Sequence, residues 1–304
     1  MKRAFSVLVL ISLVAAFVPG AALSAQASLT RKDPNTIVIG LIPEMNVFKQ
    51  MERFKYLADY LSEKVGVKIK LTVLSRYGNI LEKFEEKSMD GAFLGSFTGA
   101  LAISKLGLEP IARPVNLDGS ATYSGYIFVR KDSGIKGIKE MKGKKMAFVD
   151  KATTAGYIFP VAYLKSQGIK DINSFFREYY FTGSHDAAVL AVLNREADVG
   201  AAKHSMYNRV RTEEPRIDKE LVILAESPKV PSNGLCLRKG FDPVLKKKLK
   251  ETLLNMHKDR EGRDALAKFG ALKFIETRSS DYEPVFRMAS EAGIDMKKYH
   301  YLNR

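Results

Sequence analysis

A second cysteine is missing from this 304-residue chain, and with it any internal disulfide. The one cysteine, Cys236, stands in the apolar phrase Leu235-Cys236-Leu237 and reads as a buried strand thiol. Metal-binding spacings are also missing: there is no His-Glu-x-x-His, no Cys-x-x-Cys and no paired histidine and carboxylate. Neither a metal nor a cofactor is therefore expected. The chain has no Gly-x-Ser-x-Gly elbow and no glycine-rich phosphate loop ending in Lys-Ser/Thr, so the common hydrolase and nucleotide-binding signatures are absent. After the leader described below, no apolar run approaches the roughly 20 residues of a membrane span, so the mature chain is expected to be soluble. A basic arm is lacking too. The net charge of +15 falls to +13 without Lys2 and Arg3, and the positive residues are scattered, with one short cluster at Lys246-Lys247-Lys248 and Lys250. Scattered lysine without interleaved aromatics is solvated surface and argues against nucleic acid as a partner.

What is present begins at the amino terminus. Lys2 and Arg3 precede an apolar stretch from Phe5 to Val18, and small residues lead to Ala25-Gln26-Ala27. This is the three-part pattern of a secretory signal peptide over residues 1–27, with cleavage near Ala27. It is expected to place the mature protein outside the cytoplasm.

From Thr36 onward strand and helix signals alternate. Thr36 to Ile42 reads as a buried strand and Phe48 to Val65 as an amphipathic helix carrying Phe54, Leu57, Ala58 and Leu61 on one face. Val67 to Leu74, a helix from Asn79 to Lys87, a strand Gly91 to Leu94 and a helix opening at Ser96 follow. A second cycle starts after the extended segment Tyr123 to Arg130. It has strands at 144–149, 176–181 and 198–201, with helices at 154–166 and 186–194 between them. An aspartate precedes a short strand in both cycles, Asp90 before Gly91 and Asp198 before Val199. Strands return at Leu221 to Ala225 and Asn233 to Leu237, around Pro228 and Pro231, and everything after Phe241 reads as helical. The expected fold is α/β with two lobes, each a doubly wound parallel sheet. Lobe 1 takes 33–124 plus 229–304 and lobe 2 takes 125–228, with a hinged cleft between them as the natural ligand site.

Four strand-to-helix turns carry small polar residues: Arg76-Tyr77-Gly78-Asn79, Gly95-Ser96-Phe97-Thr98, Thr153-Thr154-Ala155-Gly156 and Gly183-Ser184-His185-Asp186. Ligands bind beyond the carboxyl ends of strands in open α/β sheets, and helix N-termini there favour anions. Each turn alone is an ordinary N-cap; their recurrence in both cycles is what suggests a site. Of the four histidines, His185 alone falls at such a turn, while His257 and His300 read as surface residues.

Tyr123 to Ile135, Met141-Lys142-Gly143-Lys144-Lys145, Thr153 to Tyr157 and Phe181 to Val189 together resemble the periplasmic phosphonate/phosphite-binding proteins of ABC importers. The resemblance runs from about Thr36 to Ala292 and implies a type II periplasmic-binding-protein fold that captures a phosphonate-like oxyanion (phosphate, phosphite or phosphonate). It also implies delivery to an inner-membrane ABC permease by a monomer. Carried over by residue, Thr153, Thr154 and Ala155 hold the oxyanion at one helix start. His185 contacts it from the facing start with Ser184 beside it, and Tyr77, Tyr123, Gly95 and Ser96 complete the cleft. Two positions depart from the family pattern. Ala155 replaces a third hydroxyl. Ser205 stands where binders of aminoalkylphosphonates hold an acid, which argues for a non-amine anion unless Glu44 supplies that charge. A ligand sensor that signals to a membrane receptor or kinase would use the same fold, and a secreted phosphatase would need a nucleophile and base that no motif supplies.

Overall fold

The computed structural model describes residues 35–78, 80–86 and 89–301. The expected leader 1–27 and its cleavage site lie outside the described residues, as do the expected helix ends Asn79 and Lys87. The chain opens with β1 (Thr36–Leu41), a nearly continuous apolar run, and passes into α1 (Val47–Val65). Asn46 caps that helix by accepting from the backbone N–H groups of Phe48 and Lys49, and Gly66 ends it with φ of +78°. β2 (Lys68–Val73), α2 (Ile80–Glu86), the wholly buried β3 (Gly91–Leu94), α3 (Ser96–Leu106) and β4 (Glu109–Asn116) follow. The short β5 (Thr122–Tyr123) then leads into the second lobe.

That lobe contains β6 (Gly125–Arg130), α4 (Ile138–Met141) and β7 (Lys145–Phe148). A π-helical turn, Thr154–Ile158, runs into α5 (Phe159–Ser166), and α6 (Ile172–Phe175) and β8 (Glu178–Phe181) come next. α7 (His185–Leu193), β9 (Val199–Lys203), α8 (His204–Glu213), α9 (Arg216–Glu220) and β10 (Leu221–Glu226) complete it. The chain returns through β11 (Val230–Pro231) and β12 (Gly234–Leu237). It ends with α10 (Pro243–Asn255), α11 (Arg260–Phe269), β13 (Ala271–Glu276) and α12 (Glu283–Glu291).

Two sheets result, one per lobe. The first has the order β13-β4-β12-β3-β1-β2 and the second β10-β6-β9-β7-β8. The strands read as strand–helix alternation are parallel, β1 with β2 and β3, and β7 with β8 and β9. Where the chain enters and leaves a lobe the pairing is antiparallel, as in β12 with β3 and β6 with β9 and β10. Both sheets are therefore mixed rather than wholly parallel. The two crossing segments pair with each other, Val230 opposite Tyr123 and Pro231 opposite Thr122, and form a ribbon between the lobes.

The paired aspartates have matching roles. Asp90 accepts a hydrogen bond from the Val38 N–H at 2.8 Å and its own N–H donates to the Val38 carbonyl. Asp198 does the same with Lys145, accepting at 2.8 Å and donating back. Each carboxylate thus fixes the parallel strand beside it.

Two strands of the larger sheet escape the sequence reading. β13 contradicts the expectation that everything after Phe241 is helical. Its pairing with β4 slips between Ala271 and Lys273, so the buried Ala271 and Phe274 stand three apart, a helical spacing. β4 carries Pro110 and Pro114, which lack a donor for the ladder and normally argue against an interior strand. It is nonetheless held between β12 and β13, with an irregular register on both sides. Two histidines also differ from expectation. His204 opens α8 directly after β9, and His257 is half-buried with its Nδ1 enclosed and without a partner. Cys236 lies in β12 with no exposed surface, as read, and burial pushes its thiol up to about 12.

Candidate functional site

The helix starts of α3, the π-helical turn and α7 converge on a small cavity between the two sheets. Glu44, Tyr77, Gly95, Phe97, Thr98 and Asn233 line one side, Ala152, Thr153, Thr154, His185 and Lys203 the other, and Tyr123 of the crossing ribbon closes it. Its volume is about 10 Å³.

The polar atoms facing this space are predominantly donors. The hydroxyl of Tyr77, on a side chain only 2% exposed, is enclosed with no hydrogen-bond partner. Burial, with Glu44 and Asp150 nearby, pushes its pKa well above the ordinary tyrosine value, so it stays protonated and able to donate. Its ring packs edge-to-face on His185 at 5.9 Å. His185 accepts the Lys203 backbone N–H on Nδ1 at 3.2 Å. An accepting Nδ1 in a neutral ring assigns the proton to Nε2, leaving that nitrogen a donor. Burial, only partly opposed by the charge of Glu44, lowers the His185 pKa to about 4, so the ring is neutral near pH 7. Thr154 reaches across the lobes: its Oγ1 accepts from the Phe97 N–H at 2.9 Å, and its hydroxyl also hydrogen-bonds the Tyr123 side chain. The π-helical turn that begins at Thr154 leaves its first N–H groups without intrahelical acceptors, as any helix start does.

One buried ion pair forms the outer wall. Lys203 Nζ lies 2.9 Å from Glu44 Oε1, 3.0 Å from Asn233 Oδ1 and 4.5 Å from the centre of the Tyr123 ring. Burial alone would raise the Glu44 pKa, but the charges of Lys203 and Arg53 and the Lys203 hydrogen bond hold it down at about 2. Burial pulls Lys203 below the usual lysine value while Glu44 holds it up. Further bonds join the lobes around the cavity. The Asn46 N–H donates to Asp186 Oδ2 at 3.1 Å, the His185 N–H to the Glu44 carbonyl at 3.3 Å, and Lys49 Nζ to Glu213 Oε2 at 2.6 Å.

Of the nine residues expected at the site, Tyr77, Gly95, Tyr123, Thr153, Thr154 and His185 line the cavity. Ser96, Ala155 and Ser184 are not among its lining. The Ser96 hydroxyl donates to the Pro231 carbonyl at 2.6 Å and so ties α3 to the ribbon. The Ser184 hydroxyl donates to the Asp186 carboxylate. Ala155 is fully packed, its Cα and Cβ each about 3.0 Å from where a side chain on Gly125 would begin. Thr153 lines the cavity, yet its hydroxyl proton is used on the Asp150 carbonyl at 2.6 Å, which shapes the turn. Lys203 and Asn233 escaped the sequence reading, and Glu44 entered it only as a conditional charge. Among the described residues no group of three or more His, Cys, Asp or Glu could hold a metal ion, and no helix is long and apolar enough to cross a membrane.

Known proteins resemble this chain at low identity. Residues 39–282 match the model of the family described as ABC transporter, phosphonate, periplasmic substrate-binding protein. The phosphonates-binding periplasmic protein of Escherichia coli is 24% identical over 269 residues, covering 87% of this chain and 78% of its own. The phosphate-import protein PhnD of Mycolicibacterium smegmatis is 28% identical over 193 residues, covering 60% of each. A solved structure of a Prochlorococcus marinus protein in complex with methylphosphonate superposes with a TM-score of 0.76 at 22% identity, covering 86% of this chain and 99% of that one. That likeness shows the fold: a two-lobed type II periplasmic-binding architecture.

Proposed function

The chain belongs to the family of periplasmic substrate-binding proteins of phosphonate ABC transporters, and we propose that it captures a phosphorus oxyanion in the inner cavity and delivers it to an inner-membrane permease. In this reading it is a binding protein rather than a catalyst, works as a monomer, and reaches the periplasm after cleavage of its leader near Ala27. Lobe 1 is 33–124 with 229–304, lobe 2 is 125–228, and the β5–β11 ribbon is the hinge.

The observation that carries the proposal is the orphaned Tyr77 hydroxyl beside His185. A buried hydroxyl without a partner costs about 1–3 kcal/mol, and an anionic oxygen between Tyr77 and His185 removes that cost. The neutral His185 donates without adding a charge that would itself need burying. The first N–H groups of the π-helical turn supply further donors, in the way helix starts bind phosphate. An oxyanion also interacts with residues of both lobes, which is how a hinged protein couples capture to closure.

The same geometry speaks to selectivity. Glu44 is the one carboxylate lining the cavity, and Lys203 already holds it at 2.9 Å. A ligand ammonium would have to displace Lys203 and leave that ammonium buried alone. Phosphate, phosphite and simple phosphonates impose no such exchange. Calorimetry of the purified mature protein against phosphate, phosphite, methylphosphonate, aminoethylphosphonate, sulfate and taurine tests the proposal. A phosphorus oxyanion is expected to bind, with aminoethylphosphonate no tighter than methylphosphonate. Sulfate or taurine binding more tightly than every phosphorus anion, or no binding at all, would sink it.

A further inference from the structure

A second and much larger space, about 490 Å³, lies outside the wall of Glu44, Lys203 and Asn233 and shares those three residues with the inner cavity. Its floor carries two guanidinium groups, one from each sheet's side of the cleft. Arg53, on α1, donates from Nε to the Phe269 carbonyl at 2.5 Å and lies 4.5 Å above the Phe269 ring. Its terminal nitrogens make no hydrogen bond or salt bridge with any described residue, although the Glu44 carboxylate is near enough for the two charges to act on each other. Arg209, on α8, brings Nη2 to within 3.5 Å of the position a side chain on Gly270 would occupy, and its guanidinium has no hydrogen-bond or salt-bridge partner among the described residues. Both groups therefore gather at the Phe269–Gly270 peptide, at the C-terminal end of α11, with no carboxylate bridging them. The acids that share the space have other hydrogen-bond partners: Glu44 bonds Lys203 while also feeling the Arg53 charge, Glu213 bonds Lys49, and Asp118 bonds Ser120.

We propose that Arg53 and Arg209 form a second anion subsite, and that the ligand is a phosphonate whose carbon substituent carries a second oxyanion group, carboxylate or phosphoryl. This rests on the oxyanion reading of the inner cavity. The phosphonate head sits among Tyr77, His185 and Thr154, and the substituent passes the Lys203–Glu44 wall into the outer space. There the two forks clamp its second anionic group, a geometry that guanidinium groups match in bidentate fashion. Two like charges facing each other across a cleft repel until an anion bridges them, so the second group also favours the closed form.

The helix end is the competing explanation for these arginines, since cations are ordinarily stabilised at C-terminal carbonyls. It accounts for the Arg53 Nε bond but gives Arg209 no partner and predicts no effect on ligand choice. The test is a calorimetric comparison of methylphosphonate, phosphonoacetate and methylenediphosphonate on the purified mature protein, repeated on Arg209→Gln and on Arg53→Lys, which retains the charge but not the fork. At least one of the doubly anionic ligands is expected to bind tenfold or more tightly than methylphosphonate, and Arg209→Gln should bring that ratio to within about threefold of unity. Methylphosphonate binding as tightly as both overturns the subsite while sparing the inner cavity. A ratio that survives both substitutions also overturns it. Failure of all three ligands to bind removes the subsite together with the oxyanion reading. His300→Ala, on an exposed side chain, is the control for the variants.

Discussion

Replacing Tyr77 by phenylalanine separates a ligand-binding role from a packing role, because the two predict opposite signs. The substitution keeps the ring and its edge-to-face contact with His185 at 5.9 Å and deletes only the hydroxyl. In the unliganded protein that oxygen is enclosed and unpaired, so its loss removes an unfavourable burial of about 1–3 kcal/mol. In a chain of this size each kcal/mol corresponds to roughly 2 °C in Tm, so Tyr77→Phe should melt about 2–6 °C above the parent. With ligand bound, the same hydroxyl donates to an ionised oxygen, a bond contributing about 1.5–3 kcal/mol. Its loss should weaken anion binding roughly tenfold to a hundredfold. Differential scanning calorimetry without ligand and isothermal titration with methylphosphonate read the two effects. A variant that melts below the parent and binds the anion with parental affinity would refute the reasoning, since the hydroxyl would then have a structural partner and no ligand.

Other expectations follow from the same site. Thr154→Val removes the acceptor for the Phe97 N–H and the hydroxyl that positions Tyr123, and should weaken binding about tenfold or more by titration. The lowered pKa of His185 means that the unfolded chain binds the extra proton first as pH falls. Its contribution to stability is therefore complete above about pH 6.5 and is lost between there and about pH 4, on the order of 3 kcal/mol in all. Melting curves of His185→Gln across that window should be flatter than those of the parent; equal slopes would place the titration elsewhere. Glu44→Gln leaves the Lys203 ammonium buried without its counter-ion and should lower the unliganded Tm, with a larger ligand-induced rise than in the parent. Cys236, fully buried with its thiol pushed up to about 12, should resist a thiol reagent in the native protein and react on unfolding.

The alternation of strands and helices was legible because β1 and β3 are short apolar runs bounded by turn residues and α1 carries one apolar face at helical spacing. The strands that were missed have patterns disturbed for physical reasons: proline in β4 and a bulge that gives β13 a helical spacing. At the site, His185, Tyr77 and Thr154 stood at turns where a strand meets a helix, a position that sequence can expose. Ser184 stood at such a turn as well, but its hydroxyl is satisfied by Asp186 two residues away, an interaction as local as the turn itself. Lys203 was hidden for the opposite reason. A lysine reads as solvated surface, and its burial becomes intelligible only through Glu44, 159 residues away in the chain. The one available signal was its place at the carboxyl end of β9, beside a histidine that opens a helix.

The central claim is that a phosphorus oxyanion sits in the inner cavity between Tyr77 and His185. A crystal structure of the mature protein with methylphosphonate tests it most directly. The account predicts phosphonate oxygens within hydrogen-bond distance, about 2.6–3.1 Å, of both Tyr77 Oη and His185 Nε2. A phosphonate seated in the outer cleft on Arg53 and Arg209, with the Tyr77 hydroxyl still unpaired, would contradict it.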